Sequence, residues 1–293
     1  MKYAFIEQHR PDYRLSIERF SALLCVSISG YYNWRKHPVS LREQANIVLD
    51  RNILMLFRKH KRRYGYRRIY KALVADHGYT GSKERIRRRM IVNKLQARQY
   101  KAFKVTTDSD HDFLISPNIL NREFGATKPN QKWVGDITYI GTAQGWLYLA
   151  TVIDLYSRKV VGWSMSRHMR ASLVCDALNM ALVNRGHPKS VLFHSDRGSQ
   201  YCSYAFRDIV NKYQFVQSMS RKGNCWDNAV AESFFKTLKT EATDDVAFNT
   251  IEEAKRVVFD YIEVYYNRQR MHSSIQYQIP AEYEAKWLMK KAA

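Results

Sequence analysis

The stretch Trp133–Ile140, WVGDITYI, decides the fold, because it predicts a β-strand with an acidic side chain in its middle. Val134, Ile137 and Ile140 favour extended backbone. Polar residues precede the stretch and a Gly-Thr turn follows it, which bounds the strand on both sides. The sequence therefore predicts a strand over 133–140 that carries Asp136.

Two further acidic residues occupy informative positions downstream. Asp196 follows the apolar run 191–193, at the predicted end of another strand, and Glu232 lies within a helical pattern. Between Asp136 and Asp196 lie 59 residues, and between Asp196 and Glu232 lie 35 residues. Carboxylates from two strands and a helix can form a hard oxygen site for Mg²⁺. Such a site suits phosphoryl transfer with two metal ions, in which Mn²⁺ can replace Mg²⁺.

The charge of the chain indicates a polyanionic partner. The 293 residues carry a formal net charge of +21, and residues 51–104 hold 18 Lys or Arg against only Asp76 and Glu84. Charge concentrated on one segment is typical of nucleic-acid binding, and a basic protein on a membrane surface is the alternative. The apolar fraction of 45% is ordinary for a globular protein and argues against wholesale disorder.

Cysteine usage and hydropathy indicate the compartment. No CxxC pair occurs, which predicts reduced and mostly buried thiols at four positions: Cys25, Cys175, Cys202 and Cys225. No apolar run reaches the roughly 18–20 residues of a membrane span, and no charged-then-apolar leader precedes Asp12. We therefore expect a cytoplasmic, nucleoid-associated protein that does not enter a membrane.

The first 40 residues predict a helix-turn-helix. A helix over 16–24 is followed by a turn at 25–27 and a second helix that ends near Lys36 and carries Tyr32. This is the size of a unit whose second helix enters a DNA groove. A small helical hairpin with its aromatic residues in the core fits the pattern equally well.

A second, basic helical unit is predicted over 41–100. A helix over 41–60 precedes two helices around the turn 77–81, and Ser82 is the predicted N-cap of the last one. Four apolar residues are predicted to face inward: Leu73, Ile86, Met90 and Leu95. A solvated basic face without a ligand is the alternative, but the interleaved tyrosines favour DNA contact. Seven arginines are the candidates for it: Arg62, Arg63, Arg67, Arg68, Arg85, Arg88 and Arg89.

After a predicted linker over 101–131, the pattern predicts an α/β domain over 132–245. Strands are predicted over 133–140, 146–154, 159–166, 190–195 and 214–219, with helices over 171–185, 203–212 and 227–243. Three strands in succession and then alternating helices and strands indicate a mixed five-stranded sheet with flanking helices. A further helix from about 250 to 266 and a basic tail complete the chain over 246–293.

The acidic residues and the words around them resemble the DDE transposase and retroviral integrase superfamily. These words are GDITYI, HSDRGSQY and the segment Asn228–Lys239. More narrowly, the chain resembles the catalytic OrfB protein of bacterial insertion sequences that transpose through a copied circular intermediate. This resemblance extends from VSISGYYNW at 26–34 to YNRQRMHSSIQYQIPAEY at 266–283. It implies a ribonuclease-H-like catalytic domain preceded by an all-α helix-turn-helix region.

The resemblance also implies a reaction and roles for residues. The expected function is DNA transposition, in which element ends are cleaved and a 3′-hydroxyl is transferred onto target DNA. Asp136, Asp196 and Glu232 would coordinate metal, with Asp136 bridging both ions. Lys239, on the same helical face as Glu232, would hold a DNA phosphate near the reacting end. Further DNA contacts are expected at Lys236, Arg197, Asn228 and Arg270.

Several residues near the triad also have ordinary structural interpretations. Lys236 could form a helix-stabilising pair with Glu232, and Arg270 could belong to a closing structural segment. His194 could orient Asp196 or be a satisfied structural histidine. For the remaining residues we expect the following roles: Asp154 as a fourth acid near the site, Asp208 facing solvent, Asp227 as a helix N-cap, Asn228 as a support of Glu232, and Trp133 and Tyr139 in packing.

The implied partners are double-stranded DNA, both terminal inverted repeats and target, and further copies of the chain. Joining two ends requires at least a dimer on DNA, and an OrfA protein is a possible additional partner. Two alternatives stay open: a non-enzymatic DNA-binding regulator and a nuclease on the same fold. The sequence His194–Arg197 matches the HxxR word of tyrosine recombinases, but nearby Tyr201 is not tens of residues downstream, so the match is interpreted as coincidence.

Overall fold

The structure is a computed structural model of the chain and describes residues 2–37, 39–99 and 114–292. The chain forms two compact units, Met1–Ala97 and Arg98–Ala293. Within the described ranges, no helix has both the length and the apolar character needed to cross a membrane.

The first unit is all α-helical. Its helices are α1 (Lys2–Tyr13), α2 (Ile17–Leu23), α3 (Ile28–Lys36), α4 (Leu41–Lys59), α5 (Tyr66–His77) and α6 (Lys83–Val92). The sequence predicted α2 to α6 but not α1, which contains Pro11 and buries only Ile6. Ile6 packs with the buried Tyr31, whereas Tyr32 stays exposed. The aromatic residues of α3 therefore divide between the core and the surface.

Serine side chains fix where the helices of this unit begin. Ser16, Ser27, Ser40 and Ser82 each accept a hydrogen bond from the backbone N–H three residues later. Such caps satisfy N–H groups that have no partner within the helix. The predicted cap at Ser82 is confirmed, with a distance of 3.2 Å from its Oγ to the Arg85 N. Leu73, Ile86 and Met90 are buried as predicted, and Leu95 is half-buried.

The second unit is built on a mixed five-stranded sheet, which confirms the predicted fold class. Its strands are β1 (Lys132–Thr142), β2 (Gly145–Asp154), β3 (Val160–Ser166), β4 (Leu192–Ser195) and β5 (Val216–Met219), in the order β3-β2-β1-β4-β5. The first three pair antiparallel through short connections, whereas β4 and β5 add in parallel. Parallel pairing requires a crossover, which helices supply.

The helices of the second unit are α7 (Ala171–Asn184), α8 (Ser199–Cys202), α9 (Tyr204–Lys212), α10 (Ala229–Leu238), α11 (Ile251–Phe259) and α12 (Pro280–Ala292). α7 packs on β2 and β3. Its approach is close because Gly162 lies beneath it: a Cβ there would lie 2.2 Å from the Ala177 carbonyl oxygen. The core on this side of the sheet includes Trp133, Phe193 and Phe206, all fully buried.

The predicted linker over 101–131 is described from residue 114 onward, and residues 101–113 lie outside the described part. The backbone N–H groups of Ile119 and Leu120 donate to the Ser218 Oγ at 2.9 and 3.0 Å. Leu120 is buried. This part of the segment is therefore packed against the end of β5.

The predicted helices near the C-terminus differ in detail. α10 is preceded by a 3₁₀ turn, Cys225–Asn228, and continues into a π-helical segment, Lys239–Thr243. α11 likewise continues into a π-helical segment, Asp260–Tyr266. The segment predicted as a basic tail contains α12, which begins at Pro280. Cys175 and Cys202 are buried thiols as predicted, Cys25 is exposed, and the Cys225 side chain lies outside the described part.

Candidate active site

The two aspartates lie side by side on β1 and directly after β4, two neighbouring strands in the interior of the sheet. β1 and β4 pair in parallel with Val134 opposite His194. Asp136 and Asp196 each lie two residues beyond this pair, Asp136 within β1 and Asp196 just after the end of β4. Because neighbouring strands are about 4.8 Å apart, the register alone brings the two carboxyl groups together.

Local hydrogen bonds hold both aspartates. The Ile137 N–H donates to the Asp136 Oδ1 at 2.8 Å, and the Gly198 N–H donates to the Asp196 Oδ1 at 3.0 Å. Gly198 has a φ of −58°, so it is not required for a positive φ. Space around Gly198 is nevertheless restricted, since a Cβ there would lie 2.9 Å from the Gln200 Oε1 and 3.1 Å from the Asp196 Oδ1.

Glu232 lies in the first turn of α10, which packs against β1. The start of this helix is attached to the strand, because the Asn228 Nδ2 donates to the Gly135 carbonyl at 3.2 Å. Asn228 is buried, so it supports the Glu232 helix, as one of its two predicted roles required. Ala231, Phe234, Phe235 and Leu238 anchor the opposite face of α10 in the core.

The three carboxyl groups interact electrostatically. Burial, followed by the charges of Asp196 and Glu232, raises the pKa of Asp136 well above its usual value. The Glu232 side chain is exposed overall, but partial desolvation of its carboxyl, with the charge of Asp196, raises its pKa too. A cluster of like charges of this kind is stabilised by a cation.

The donor set fits a divalent metal ion of the magnesium type. Within residues 2–37, 39–99 and 114–292, no group of three or more acidic, histidine or cysteine side chains is arranged so that it could hold a metal ion by itself. Mg²⁺ does not require such a group, since it keeps several waters and binds one or two carboxylates plus substrate phosphates. Two buried polar atoms beside Asp136 have no hydrogen-bond partner within the same ranges, the Asn228 Oδ1 and the Thr151 Oγ1. Thr151 is the cross-strand neighbour of Asp136.

The two lysines of the Glu232 face differ in environment. Lys236 is exposed, whereas the Lys239 Nζ lies 4.7 Å from the centre of the Tyr139 ring. Burial lowers the pKa of Lys239. Tyr139 also packs edge-on against Trp146, so its predicted packing role holds, and the same ring positions Lys239.

His194 is a structural histidine. It is fully buried, with its Nδ1 2.8 Å from the Ser218 Oγ and its Nε2 3.1 Å from the Ser220 Oγ. Burial lowers its pKa to about 4, so the ring is neutral at pH 7. Both ring nitrogens thus contact serines of the neighbouring chain segment, which is the second of its two predicted roles. The next basic residue, Arg197, donates from its Nε to the Ser220 carbonyl at 2.6 Å.

The predicted role of Asp227 is wrong. It does not cap α10, because Asn228 occupies the N-cap position. Its fully buried carboxylate instead accepts hydrogen bonds from Arg221, Arg122 and Asn118. The Arg221 side chain is the largest cause of its strongly lowered pKa. No signal in the sequence pairs Asp227 with Arg122, which lies 105 residues earlier.

Two other predictions are corrected by burial. Arg270 is only 4% exposed and binds Glu241 through its Nε and Nη2, so it is not placed to contact DNA. Asp154 pairs with Trp133 in the sheet, three residues along β1 from Asp136. It accepts from the Asn130 and Tyr156 N–H groups and from Arg185, so it is not a fourth acid at the site. Asp208 is exposed as predicted.

The arginines of the first unit occupy three kinds of position. Arg62, Arg67 and Arg88 are exposed. Arg63 and Arg68 are half-buried, and the Arg68 guanidinium lies over the Tyr64 ring. Arg85 and Arg89 reach back to α4, where they bind Asn46 and Asp50 respectively. The last two therefore hold the helices together in addition to any contact with DNA.

Tyr201 is excluded as a nucleophile by its surroundings. It is 2% exposed and packs against Phe193 and Phe206. Burial, followed by the charges of Asp136 and Asp196, raises its pKa well above the usual value. The side chain is a wall of the candidate site, which agrees with the rejection of a tyrosine-recombinase chemistry.

Protein-family models match parts of both units. An integrase core domain matches residues 126–225, a second integrase core domain description matches residues 232–288, and an HTH-like domain matches residues 43–103. Among solved structures, the HTLV-2 integrase catalytic core domain in complex with magnesium is similar at a TM-score of 0.42 and 16% identity, over 55% of this chain and 99% of that one. A similarity at this level supports no inference of its own.

Relatives match almost the whole length of the chain. The transposase InsF for insertion sequence IS3A of Escherichia coli (strain K12) is 42% identical over 288 residues, covering 98% of this chain and 99% of that protein. The insertion element IS600 uncharacterized 31 kDa protein of Shigella sonnei is 42% identical over 262 residues, covering 89% of this chain and 96% of that protein. The chain therefore belongs to the IS3 family of insertion-sequence transposases, enzymes of DNA transposition with an integrase core.

Proposed function

We propose that this transposase cleaves the ends of its insertion sequence and joins the 3′-hydroxyl strand to target DNA, with Asp136, Asp196 and Glu232 as its catalytic carboxylates. One observation carries the proposal. The parallel register of β1 and β4 puts both aspartates two residues beyond the same pair, beside the helix that carries Glu232. Water and then a 3′-hydroxyl would attack phosphorus in line, without a protein-linked intermediate.

Asp136, Asp196 and Glu232 would hold two Mg²⁺ ions, and Mn²⁺ would substitute. When bound, the ions would activate the attacking oxygen and stabilise the leaving one. The protein side chains would supply position and charge. Lys239, fixed against the Tyr139 ring, would hold a phosphate near the reacting end, and Lys236 and Arg197 would contact the strand on either side.

The first unit would bind the terminal inverted repeats through its basic surface. Arg62, Arg67 and Arg88 are the exposed candidates for phosphate contacts, and Tyr32 is an exposed candidate on α3. Two ends must meet for joining, so the working form would be at least a dimer on nucleoid DNA, with OrfA as a possible further partner.

The test is a joining assay with the purified chain. Labelled duplexes carrying the ends that flank the gene would be incubated with a supercoiled plasmid and Mg²⁺ or Mn²⁺. We expect Asp136→Asn, Asp196→Asn and Glu232→Gln each to lower cleavage and joining by at least about 10³-fold, since each removes charge from the same site. DNA binding, measured by gel shift, should be unchanged.

Two exposed acidic residues provide matched controls, Asp208→Asn on α9 and Glu252→Gln on α11, and both should retain activity. Full activity in any triad variant would contradict the assigned triad. Metal-dependent cleavage without joining would favour the nuclease. Binding without chemistry, even after the OrfA reading frame is added, would favour the regulator.

A further inference from the structure

The loop between β5 and α10 is attached beside both aspartates of the candidate site. At its start, the Ser220 N–H donates to the Ser195 carbonyl at 2.9 Å, next to Asp196. At its end, Asn228 is bound to the Gly135 carbonyl, next to Asp136. Both ends of the loop, at residues 220 and 228, are therefore attached next to the reacting groups.

The buried carboxylate of Asp227 holds the loop in one shape. It accepts from the Arg221 backbone N–H at 3.0 Å and from the Arg221 Nε and Nη2 at 2.9 and 2.8 Å. It also accepts from the Arg122 Nε at 2.8 Å and the Asn118 Nδ2 at 2.9 Å. Arg122 binds the loop a second time, through the Asn224 Oδ1 at 3.0 Å. Several of these hydrogen bonds are charge-assisted and therefore among the stronger ones, and together they attach the loop to one buried carboxylate.

These hydrogen bonds to Asp227 leave cationic and aromatic groups exposed to solvent at the loop. The side chains of Arg221 and Arg122 are 50% and 44% exposed although both are bound to Asp227. A guanidinium has five N–H donors, and each of these two uses only its Nε and Nη2 in the bonds described. Trp226 is 69% exposed even though the next residue, Asp227, is fully buried. The aromatic ring of Trp226 is thus exposed to solvent directly beside a buried anchor of the loop.

We propose that Arg122, Arg221 and Trp226, here called the loop platform, bind the DNA strand beside the reacting end, with Asp227 as their positioning residue. The two guanidiniums would contact phosphates, and the Trp226 ring would stack on a base that is unpaired at the end. Stacking on an aromatic face and contact with the backbone are how proteins hold single strands without reading sequence. The inference rests on the proposed function, because the DNA strand that it concerns is the one that the triad would cleave and join.

Photo-crosslinking tests the contact without any chemistry at the triad. A duplex with the terminal sequence that flanks the gene would carry 5-iodouracil at successive positions near its end and be irradiated with the full-length chain in EDTA. We expect a mass-mapped adduct on Trp226, absent in Trp226→Ala and retained in Trp226→Phe. Affinity for the frayed end should fall about 5-fold or more in Trp226→Ala. Because Trp226 is exposed, this variant should fold, which its melting temperature would verify.

The arginines have a readout that a structural role alone would not change. Arg122→Gln and Arg221→Gln should each lower the slope of log affinity against log salt by about 0.7–0.9, the value for one phosphate that is no longer neutralised. Asp227→Asn should lower the yield of the Trp226 adduct, because the arginine partners of Asp227 are released. Tyr204→Ala is the matched control: Tyr204 is 77% exposed on α9 and borders a groove with Phe215 and Gln217 at the start of β5, the end opposite Ser220.

The outcomes separate this inference from the proposed function. An adduct on Trp226 in a chain that neither cleaves nor joins DNA would support the loop platform and reject the proposed chemistry. Joining that depends on the triad, with no Trp226 adduct and with wild-type affinity in Trp226→Ala, would overturn the loop platform alone. Unchanged salt slopes in both arginine variants would reduce Arg122 and Arg221 to structural partners of Asp227 and overturn their assignment to phosphate.

Discussion

The stability of the first, all-helical unit depends on pH through His60. It ends α4, is buried, and stacks on the Tyr64 ring with 3.7 Å between the ring centres. Burial lowers its pKa from 6.5 to about 4. Between pH 6.5 and pH 4, His60 therefore binds a proton in the unfolded chain but not in the folded chain. The stability that is present above pH 6.5 is lost as the pH falls towards 4. We predict that His60→Phe, which keeps the stacking, removes most of this loss, up to about 3 kcal/mol.

The measurement is amide hydrogen exchange of α4 and α5 at a series of pH values between 4 and 7, after correction for intrinsic rates. His77→Phe is the control, because His77 is exposed at the end of α5 and should leave the pH dependence as it is. An equal acid-induced loss of stability in His60→Phe and the wild type would refute the assignment to His60.

At the scale of elements, the π-helical segment after α10 depends on one buried ion pair. Glu241, in the Lys239–Thr243 segment, accepts from the Arg270 Nε and Nη2 and from the Tyr261 hydroxyl. Both charged side chains are almost fully buried. We predict that Glu241→Ala lowers the free energy of unfolding by about 3–5 kcal/mol, because it leaves the Arg270 charge buried without its carboxylate. Urea unfolding would measure the change.

A double variant distinguishes the removal of a charge partner from the removal of packing. Glu241→Met combined with Arg270→Met should recover most of the stability, since apolar groups of similar volume can replace a buried pair. Glu252→Gln removes an exposed partner of Lys255 on α11 and should leave stability unchanged. A double variant no more stable than Glu241→Ala would show that shape, rather than the uncompensated charge, sets the cost.

Elements with a strong pattern could be predicted from the sequence, and those that depend on distant partners could not. β1 and Asp136 follow from a run of β-forming residues, and Ser82 caps α6 by local chemistry alone. The π-helical segment after α10 depends on Arg270, 29 residues from Glu241, and no local pattern reveals it. The start of α12 has a local signal in the sequence, because Pro280 at the first position of the helix is followed by helix formers.

In the whole molecule, the basic charge and the candidate catalytic residues lie in different units. The basic stretch 51–104 lies mainly in the unit Met1–Ala97, whereas Asp136, Asp196 and Glu232 belong to the unit Arg98–Ala293. The sequence predicts this separation well, because charge and spacing are both local properties of the chain. The predicted DNA contact of a single cation, Arg270, was wrong, because the exposure of a side chain is a property of the folded unit.

This separation predicts that DNA affinity and triad chemistry can be removed independently. Arg62→Gln, Arg67→Gln and Arg88→Gln, combined, should lower the slope of log affinity against log salt by about 0.9 for each phosphate that is no longer neutralised, because all three side chains are exposed. Fluorescence anisotropy from about 50 to 200 mM salt would measure it. The matched control removes three charges from α12 instead, by Lys286→Gln, Lys290→Gln and Lys291→Gln. An equal fall in both sets would mean that net charge, rather than a footprint on the first unit, governs binding.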